Sequence, residues 1–118
     1  MQLGELEIET SGTNPLRLVF RGKSNHREPE SILRPFFADV LPHLDGPGAA
    51  LEMHFEDLEF FNSSTITSII HFIKDLSGRR VTTSITYDAS RGGQKVFFDA
   101  LRMLQKTDGL LKITPASP

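Results

Sequence analysis

A run of four short polar side chains is the part of this sequence best suited to carry chemistry. Asn62, Ser63, Ser64 and Thr65 follow an apolar, strand-like segment and precede an apolar, helix-like segment. Hydroxyl groups at the start of a helix lie beside backbone N–H groups that have no partner within the helix, and these N–H groups favour a phosphate. The run therefore suggests a place where a phosphate is bound or attached.

The same run also suits an ordinary structural role. Asn, Ser and Thr are favoured at the N-cap of a helix because the side-chain oxygen accepts a hydrogen bond from a first-turn N–H group, which is worth about 1 kcal/mol. One capping residue suffices, so four exceed the need, although Thr65 and Thr67 could simply face solvent. On residue types alone, a functional hydroxyl and a plain cap both stay open.

Other chemistry has little support in the residue pattern. The sequence has no GxSxG motif of a serine nucleophile. Residues 22–24 (GKS) lack the upstream glycine that a phosphate-binding loop requires. There is no cysteine and no HExxH, and zinc-helix spacing is absent from the four histidines, which are His26, His43, His54 and His71. We therefore expect no metal and no cofactor. A serine enzyme using Ser63 would need one of these histidines within hydrogen-bond reach.

Charged residues flank the polar run. Four carboxylates cluster around the end of the preceding strand, where an exposed rim is a simpler interpretation than an acid–base pair; they are Glu52, Glu56, Asp57 and Glu59. Arg91 precedes two glycines at the predicted start of another helix, where it could hold an anion. Both features are expected close to the polar run if the strands are parallel.

Composition limits the classes of function. A chain of 118 residues predicts a single domain over residues 1–118. The net charge of -2 gives no basic surface for nucleic acid or an anionic membrane. No apolar run approaches the roughly 18 residues of a membrane span, and the start of the chain does not have the pattern of a signal peptide. A cytoplasmic protein is expected.

Hydrophobic periodicity predicts an α/β fold with the order β-β-α-β-α-β-α-β. Alternation of strands and helices favours a mainly parallel sheet with the helices packed on it, made mixed by the opening hairpin. Residues 22–29 are expected to form a loop, Pro42 to kink or end the first helix, and residues 114–118 to fray. Val96, Phe97, Ala100, Leu101 and Leu104 are assigned to the apolar face of the third helix. The predicted strands and apolar helical stripes span residues 3–9, 16–21, 32–44, 49–55, 66–76, 81–87, 96–104 and 110–113.

Residues 51–65, LEMHFEDLEFFNSST, resemble the signature of STAS domains, the fold of bacterial anti-sigma-factor antagonists. In that family an alternating strand runs through an apolar turn into Asp-Ser-Ser-Gly at a helix start. Ser63 and Ser64 match the two serines, whereas Asn62 replaces the aspartate and Thr65 the glycine. The element order matches the STAS fold over most of the chain. This resemblance implies phosphorylation of Ser63 by a protein kinase, with Ser64 and Thr65 as lesser alternatives.

The polar run is also similar to that of SiaC-type regulatory phosphoproteins, which are STAS-like and carry Phe-Asn-Thr/Ser-Ser-Ser at this turn. Phe61 and Asn62 fit that form, as do the paired aromatic residues Phe36 and Phe37 upstream. The similarity implies a non-enzymatic partner-switching module, with a kinase, a PP2C-type phosphatase, and an anti-sigma factor or a diguanylate cyclase as its target.

The expected partner-binding surface surrounds the polar run. It comprises the turn before the helix, the exposed face of the helix and the loop before the third helix. Its residues are Glu56, Asp57, Glu59, Asn62, Ser63, Ser64, Thr67, His71 and Arg91. The alternative is a constitutive STAS-like scaffold, in which Ser63 is only a cap and its removal costs about 1 kcal/mol of stability.

Overall fold

The computed structural model describes residues 1–44 and 46–116, and these residues form seven strands and three helices. The strands are β1 (Gln2–Leu3), β2 (Leu6–Ser11), β3 (Leu16–Ser24), β4 (Ala50–His54), β5 (Leu58–Phe61), β6 (Thr82–Tyr87) and β7 (Leu111–Pro115). The helices are α1 (Glu30–Val40), α2 (Ser63–Gly78) and α3 (Gly92–Leu101).

The strands form one mixed sheet in the order β1-β2-β3-β4-β6-β7, with β5 paired beside β3. β1, β2 and β3 pair antiparallel, whereas every pairing from β3 to β7 is parallel. Leu18, Met53, Ile85 and Ile113 lie side by side across the four parallel strands. The prediction of a mixed, mainly parallel α/β fold is confirmed, and the architecture is compatible with a STAS-like fold.

One face of the sheet is buried and the other is open. Buried residues alternate with partly or fully exposed ones along β3, β4 and β6, which places the apolar side chains on the face that the helices cover. Aromatic rings join the layers: Phe20 stacks on Phe55 with ring centroids 4.3 Å apart, and Phe37 of α1 stacks on Phe72 of α2 at 4.2 Å. The open face carries charged and hydroxyl side chains.

β5 was not expected from the sequence, and β3 runs further than predicted. Residues 22–24 were assigned to a loop, but they continue β3 and pair with β5 in parallel. A register shift at Gly22 permits this, and Gly22 has a φ of +84°. The pairing ends where the Asn62 N–H donates to the Ser24 carbonyl at 3.2 Å. β5 therefore guides the chain directly to the start of α2.

The two prolines of this region lie in different kinds of helix. Pro35 lies inside α1, past its first turn, where the missing N–H of proline removes one hydrogen bond of the helix. α1 ends at Val40, and Pro42 lies in a 3₁₀ turn over Leu41–Leu44. The apolar stripe predicted to residue 44 is therefore α-helical as far as Val40 and 3₁₀-helical after it. Of the predicted loop at 45–48, Asp45 lies outside the described residues.

Two predictions in the last third of the chain need correction. Val96 is 75% exposed rather than on the apolar face of α3, and Phe98 points into the core instead. Thr114 and Pro115 belong to β7 rather than to a frayed tail, because they pair with Thr86 and Tyr87 of β6. The Ala116 N–H then donates to the Tyr87 carbonyl at 2.8 Å, while residues 117 and 118 lie outside the described residues.

Candidate functional site

Asn62 is the residue that caps α2. Its Oδ1 accepts hydrogen bonds from the Thr65 N–H at 2.9 Å and from the Thr65 hydroxyl at 2.8 Å. Its Nδ2 donates to the His26 carbonyl at 3.0 Å, which ties the start of α2 to the loop before α1. The extended backbone at Asn62, with φ -93° and ψ 176°, is the conformation that an N-cap requires. Asn62 therefore has a full structural role.

Thr65 is also committed to structure. It is 3% exposed, and its Oγ1 lies 2.6 Å from the Oγ of buried Ser24. Because the Asn62 amide oxygen can only accept, Thr65 donates its single hydroxyl proton there, and Ser24 donates to Thr65. The expectation that Thr65 faces solvent is wrong, and a kinase could not reach its hydroxyl in the folded protein.

Ser63 and Ser64 are left with unused hydroxyl groups. Ser63 is exposed and Ser64 half-buried in the first turn of α2, and neither hydroxyl bonds to another residue within 1–44 or 46–116. The Ser63 carbonyl accepts a hydrogen bond from the Thr67 hydroxyl at 3.1 Å. This bond involves the backbone of Ser63 and not its side chain. No histidine of the described chain is hydrogen-bonded to Ser63, so the serine-enzyme interpretation has no base.

The predicted acidic rim is divided between two surfaces. Glu56 accepts a hydrogen bond from Thr86 on the open face of the sheet, and Asp57 lies 4.0 Å from the Arg21 guanidinium on the same face. His54 joins this group, with Nδ1 2.7 Å from the Thr86 hydroxyl. Glu59 lies apart from them, at the edge of a groove on the helical side. Glu56 and Asp57 therefore make their contacts on the open face of the sheet and do not line the groove beside the polar run.

That groove lies between β5, the first turns of α2 and the length of α3; it is mainly apolar and has a volume of about 700 Å³. We call it the β5–α3 groove. Phe60 is 49% exposed and Val96 75% exposed, which is unusual for large apolar side chains. Its wall adjoins the polar run, because Phe61 directly precedes Asn62. The groove is lined by Glu59, Phe60, Phe61, Ile66, Arg91, Gly92, Gly93, Gln94, Val96, Phe97 and Ala100.

Gln94 fixes the position of α3 beside this groove. It is 2% exposed, and its Nε2 donates to the carbonyls of Phe55 and Leu58, each at 2.7 Å. Its Oε1 accepts from the Asp88 N–H at 2.8 Å. One amide side chain therefore holds the start of α3 against both ends of the 55–58 turn.

Arg91 stands at the groove through its pairing with Asp88. The Arg91 Nε lies 3.4 Å from an Asp88 carboxylate oxygen. Hydrogen bonds from the Ser90 hydroxyl and N–H lower the pKa of Asp88, and Arg91 adds to that effect. Asp88 is therefore a fixed carboxylate that orients Arg91. The positive charge of Arg91 is therefore partly balanced by Asp88, and its role in binding an anion or a partner stays a prediction.

Thr67 and His71 lie on the exposed side of α2. Thr67 follows Ser63 by one turn. His71 is further along and lines a separate cleft between α1 and α2. Together with Ser63 they form an accessible strip along the helix.

The sequence interpretation missed Phe60, Val96 and Gln94. A signal was present for Val96, because the run Val96-Phe97-Phe98 is too wide for one buried helical stripe, so one member had to face outward. Gln94 carried no such signal, since its partners are backbone carbonyls distant in sequence.

The described residues show neither a metal-binding cluster nor a membrane-spanning helix. Residues 1–44 and 46–116 contain no group of three or more acidic, histidine or cysteine side chains placed to hold a metal ion. No helix in this part of the chain is both long and apolar enough to cross a membrane.

Comparison with known proteins identifies a shared fold. No protein-family model matches the sequence, and no curated protein matches it. Among solved structures, the chain is similar to one in the crystal structure of diguanylate cyclase SiaD in complex with its activator SiaC from Pseudomonas aeruginosa. The superposition has a TM-score of 0.64 and 17% identity, and covers 95% of this chain and 94% of that chain. The similarity supports a SiaC-like fold.

Proposed function

We propose that this protein is a non-enzymatic regulatory binding module that is switched by phosphorylation of Ser63. The observation that carries the proposal is that the residues of the polar run have different hydrogen-bonding roles. Asn62 caps α2, Thr65 is buried in a hydrogen-bond chain, and the Ser63 hydroxyl is exposed without a structural partner. A hydroxyl that the fold does not use, at a helix start, is suited to accept a phosphate.

The physics of the switch is local. A phosphate adds about -1.5 to -2 charges and three acceptor oxygens. The first-turn N–H groups of α2 partly stabilise it, as the helix macrodipole favours an anion there. A target protein that docks on α2 and the apolar β5–α3 groove would then meet a bulky, hydrated anion at the edge of its interface. Binding weakens although the fold is unchanged.

The partners follow from the same proposal. A protein kinase would add the phosphate, and a PP2C-type phosphatase would remove it, in the cytoplasm of a bacterial cell. The target would be a protein such as a diguanylate cyclase or an anti-sigma factor. SiaC is an activator of the diguanylate cyclase SiaD, which makes an enzyme of that kind the first target to test.

The decisive experiment compares Ser63→Ala and Ser63→Asp as baits in the native lysate. Ser63→Ala should retain the target, whereas Ser63→Asp should lose it by at least about tenfold, the effect of losing roughly 1.4 kcal/mol of binding free energy. Ser11→Asp is a matched control, because Ser11 is exposed on β2, in a part of the fold distant from α2 in sequence. Mass spectrometry of the wild-type protein should map one phosphate to Ser63.

If both variants bind the target like the wild type, and no phosphate is found, the switch is ruled out. The protein would then be the constitutive scaffold, with Asn62 alone explaining the polar residue at the helix start. Phosphate mapped to Ser64 instead would move the switch by one residue and keep its mechanism.

A further inference from the structure

A second polar feature lies between α1 and α2, and of the partner-binding residues expected around Ser63 it includes only His71. It is a cleft of about 320 Å³, which we call the α1–α2 cleft. The two helices pack through Phe37 and Phe72 beneath it. It is lined by Arg34, Phe37, Ala38, Leu41, Ser68, His71, Phe72 and Asp75.

Ser68 is the unusual residue in this cleft. It is 1% exposed, and its hydroxyl has no hydrogen-bond partner in the described part of the chain. The other buried polar side chains, Ser24, Thr65, Thr83 and Gln94, are all hydrogen-bonded. A buried hydroxyl without a partner destabilises a fold, so its presence here points to a ligand that supplies the missing bond.

Arg34 supplies a second unused donor. It is exposed on α1, and within residues 1–44 and 46–116 no carboxylate pairs with its guanidinium. His71 stands on the facing helix as a further nitrogen-bearing group. Asp75 contributes one negative charge to the same cleft. Among the described residues, the cleft thus combines the unpaired Arg34 guanidinium and the unpaired Ser68 hydroxyl with the Asp75 carboxylate, which repels a dianion more strongly than a monoanion.

We propose that the α1–α2 cleft binds a carboxylate group. The planar guanidinium of Arg34 matches the two oxygens of a carboxylate, and the Ser68 hydroxyl can turn to donate to one of them. Asp75 opposes any anion in the cleft, and it opposes a phosphate dianion more than a singly charged carboxylate. Arg34 and Ser68 both line the cleft, and the long, exposed Arg34 side chain can reorient toward a ligand there. The site does not require phosphorylation of Ser63, so its test is independent of the proposed function.

The first test uses stability. Ser68→Ala removes a buried hydroxyl that has no partner, so it should raise the unfolding midpoint Tm by a few degrees. Ser24→Ala is the matched control, because it removes a buried hydroxyl that is bonded at 2.6 Å, and it should lower Tm. A drop in Tm for Ser68→Ala as large as that for Ser24→Ala would show that Ser68 already has a structural role, and would overturn the site.

The second test titrates the folded protein with sodium acetate while amide chemical shifts are recorded by NMR. Acetate should shift the amides of Arg34, Ser68 and His71, with an apparent affinity about tenfold weaker in Arg34→Gln, the loss expected for one charged hydrogen bond. Ser68→Ala should weaken it as well, whereas Arg27→Gln, a change at an exposed arginine in the preceding loop, should not.

The same titration with N-acetylglutamate amide distinguishes the source of the carboxylate. Tighter binding than acetate would identify an acidic protein side chain as the natural ligand, and tighter acetate binding would identify a small free acid. Equal shifts with acetate, inorganic phosphate and chloride, or shifts that survive Arg34→Gln, would overturn the proposal.

Discussion

Asn62 and Ser63 are adjacent in the sequence but differ in their structural roles, because only the Asn62 side chain makes hydrogen bonds to described residues. Asn62 makes three side-chain hydrogen bonds at 3.0 Å or less, whereas the Ser63 hydroxyl makes none to a described residue. We expect Asn62→Ala to lower the free energy of unfolding by about 1–2 kcal/mol, the range for a lost N-cap. Ser63→Ala should change it by less than about 0.5 kcal/mol. Urea denaturation of both variants measures the difference.

Equal losses for the two variants would contradict this assignment of the cap. They would restore the interpretation of Ser63 as a structural residue and remove the main support for the switch. The sequence predicted that the polar run lies at the start of α2, but not which residue caps the helix and which hydroxyl stays unbonded. That choice depends on backbone dihedral angles at Asn62 and on Ser24, which is distant in sequence.

At the scale of elements, Gly22 controls how β3 continues into its pairing with β5. A methyl group on Gly22 would lie 1.9 Å from the Glu5 carbonyl oxygen, and its φ of +84° disfavours any side chain. We expect Gly22→Ala to cost more than about 2 kcal/mol of unfolding free energy. Gly4→Ala is the control, since Gly4 also has a positive φ but no atom within 4 Å, and should cost about 1 kcal/mol.

Thermal and urea unfolding of the two glycine variants give the comparison. A similar cost for both would mean that the close approach between Glu5, in the turn before β2, and the β3 bulge is relieved by a small backbone shift. A bulge of this kind leaves almost no mark in a sequence. This is why the strand pattern predicted β4 and α2, but not β5 between them.

A hydrogen bond between Tyr87 and Asp99 joins β6 to α3. Its length is 2.6 Å, and Lys95 pairs with the other Asp99 oxygen at 2.7 Å. The bond from Lys95, followed by that from Tyr87, lowers the pKa of Asp99. A carboxyl group with a lower pKa in the folded state stabilises the fold above its unfolded pKa of about 3.9, and this contribution is lost as pH falls through the folded value.

Asp99→Asn should therefore unfold at lower urea concentration than the wild type at pH 6 to 7, and the gap should shrink steadily below about pH 4. The hydrogen bond that Tyr87 donates to Asp99 raises the pKa of Tyr87, so the stability it contributes should also be lost at alkaline pH, as the pH rises through that pKa. Urea midpoints measured from pH 2.5 to 7 test the acid limb. A gap that does not depend on pH would show that the effect is packing and not charge.

The β5–α3 groove makes a prediction about binding rather than stability. Val96 is 75% exposed, so Val96→Glu should leave the free energy of unfolding within about 0.5 kcal/mol of wild type. It should weaken capture of the target protein by about tenfold or more, because it places a charge in an apolar contact. Met103→Glu is the matched control, since Met103 is 87% exposed and lies outside the groove.

Equal capture by Val96→Glu and Met103→Glu would move the docking surface away from this groove. The sequence alone could not show that Val96 is the residue exposed at this surface, because Val96, Phe97 and Phe98 are consecutive and all apolar. Only the packing of Phe98 against Phe55 and Tyr87 decides which of the three faces outward.

At the scale of the whole molecule, the sheet is covered by helices on one face only, and its strands differ in how well they are held. β3, β4 and β6 each have a neighbour on both sides, whereas β1 and β7 are the ends of the strand order. The periodicity of the sequence was enough to predict this architecture, since right-handed crossovers between adjacent parallel strands bring successive helices to the same face. It could not show the division of the acidic rim between the two faces, which follows from the path of the chain through residues 54–59.

This layout predicts a pattern of amide hydrogen exchange. The amides of β3, β4 and β6 should exchange slowest and those of β1 and β7 fastest, because edge strands open without breaking the core. The switch proposal adds a sharper expectation: Ser63→Asp should give the same pattern as the wild type, with changes confined to the first turn of α2, since the added charge acts at the surface. Loss of protection throughout α2 and β5 in Ser63→Asp would mean that the charge unfolds this part of the molecule, and that the switch works by local unfolding instead of by blocking a surface.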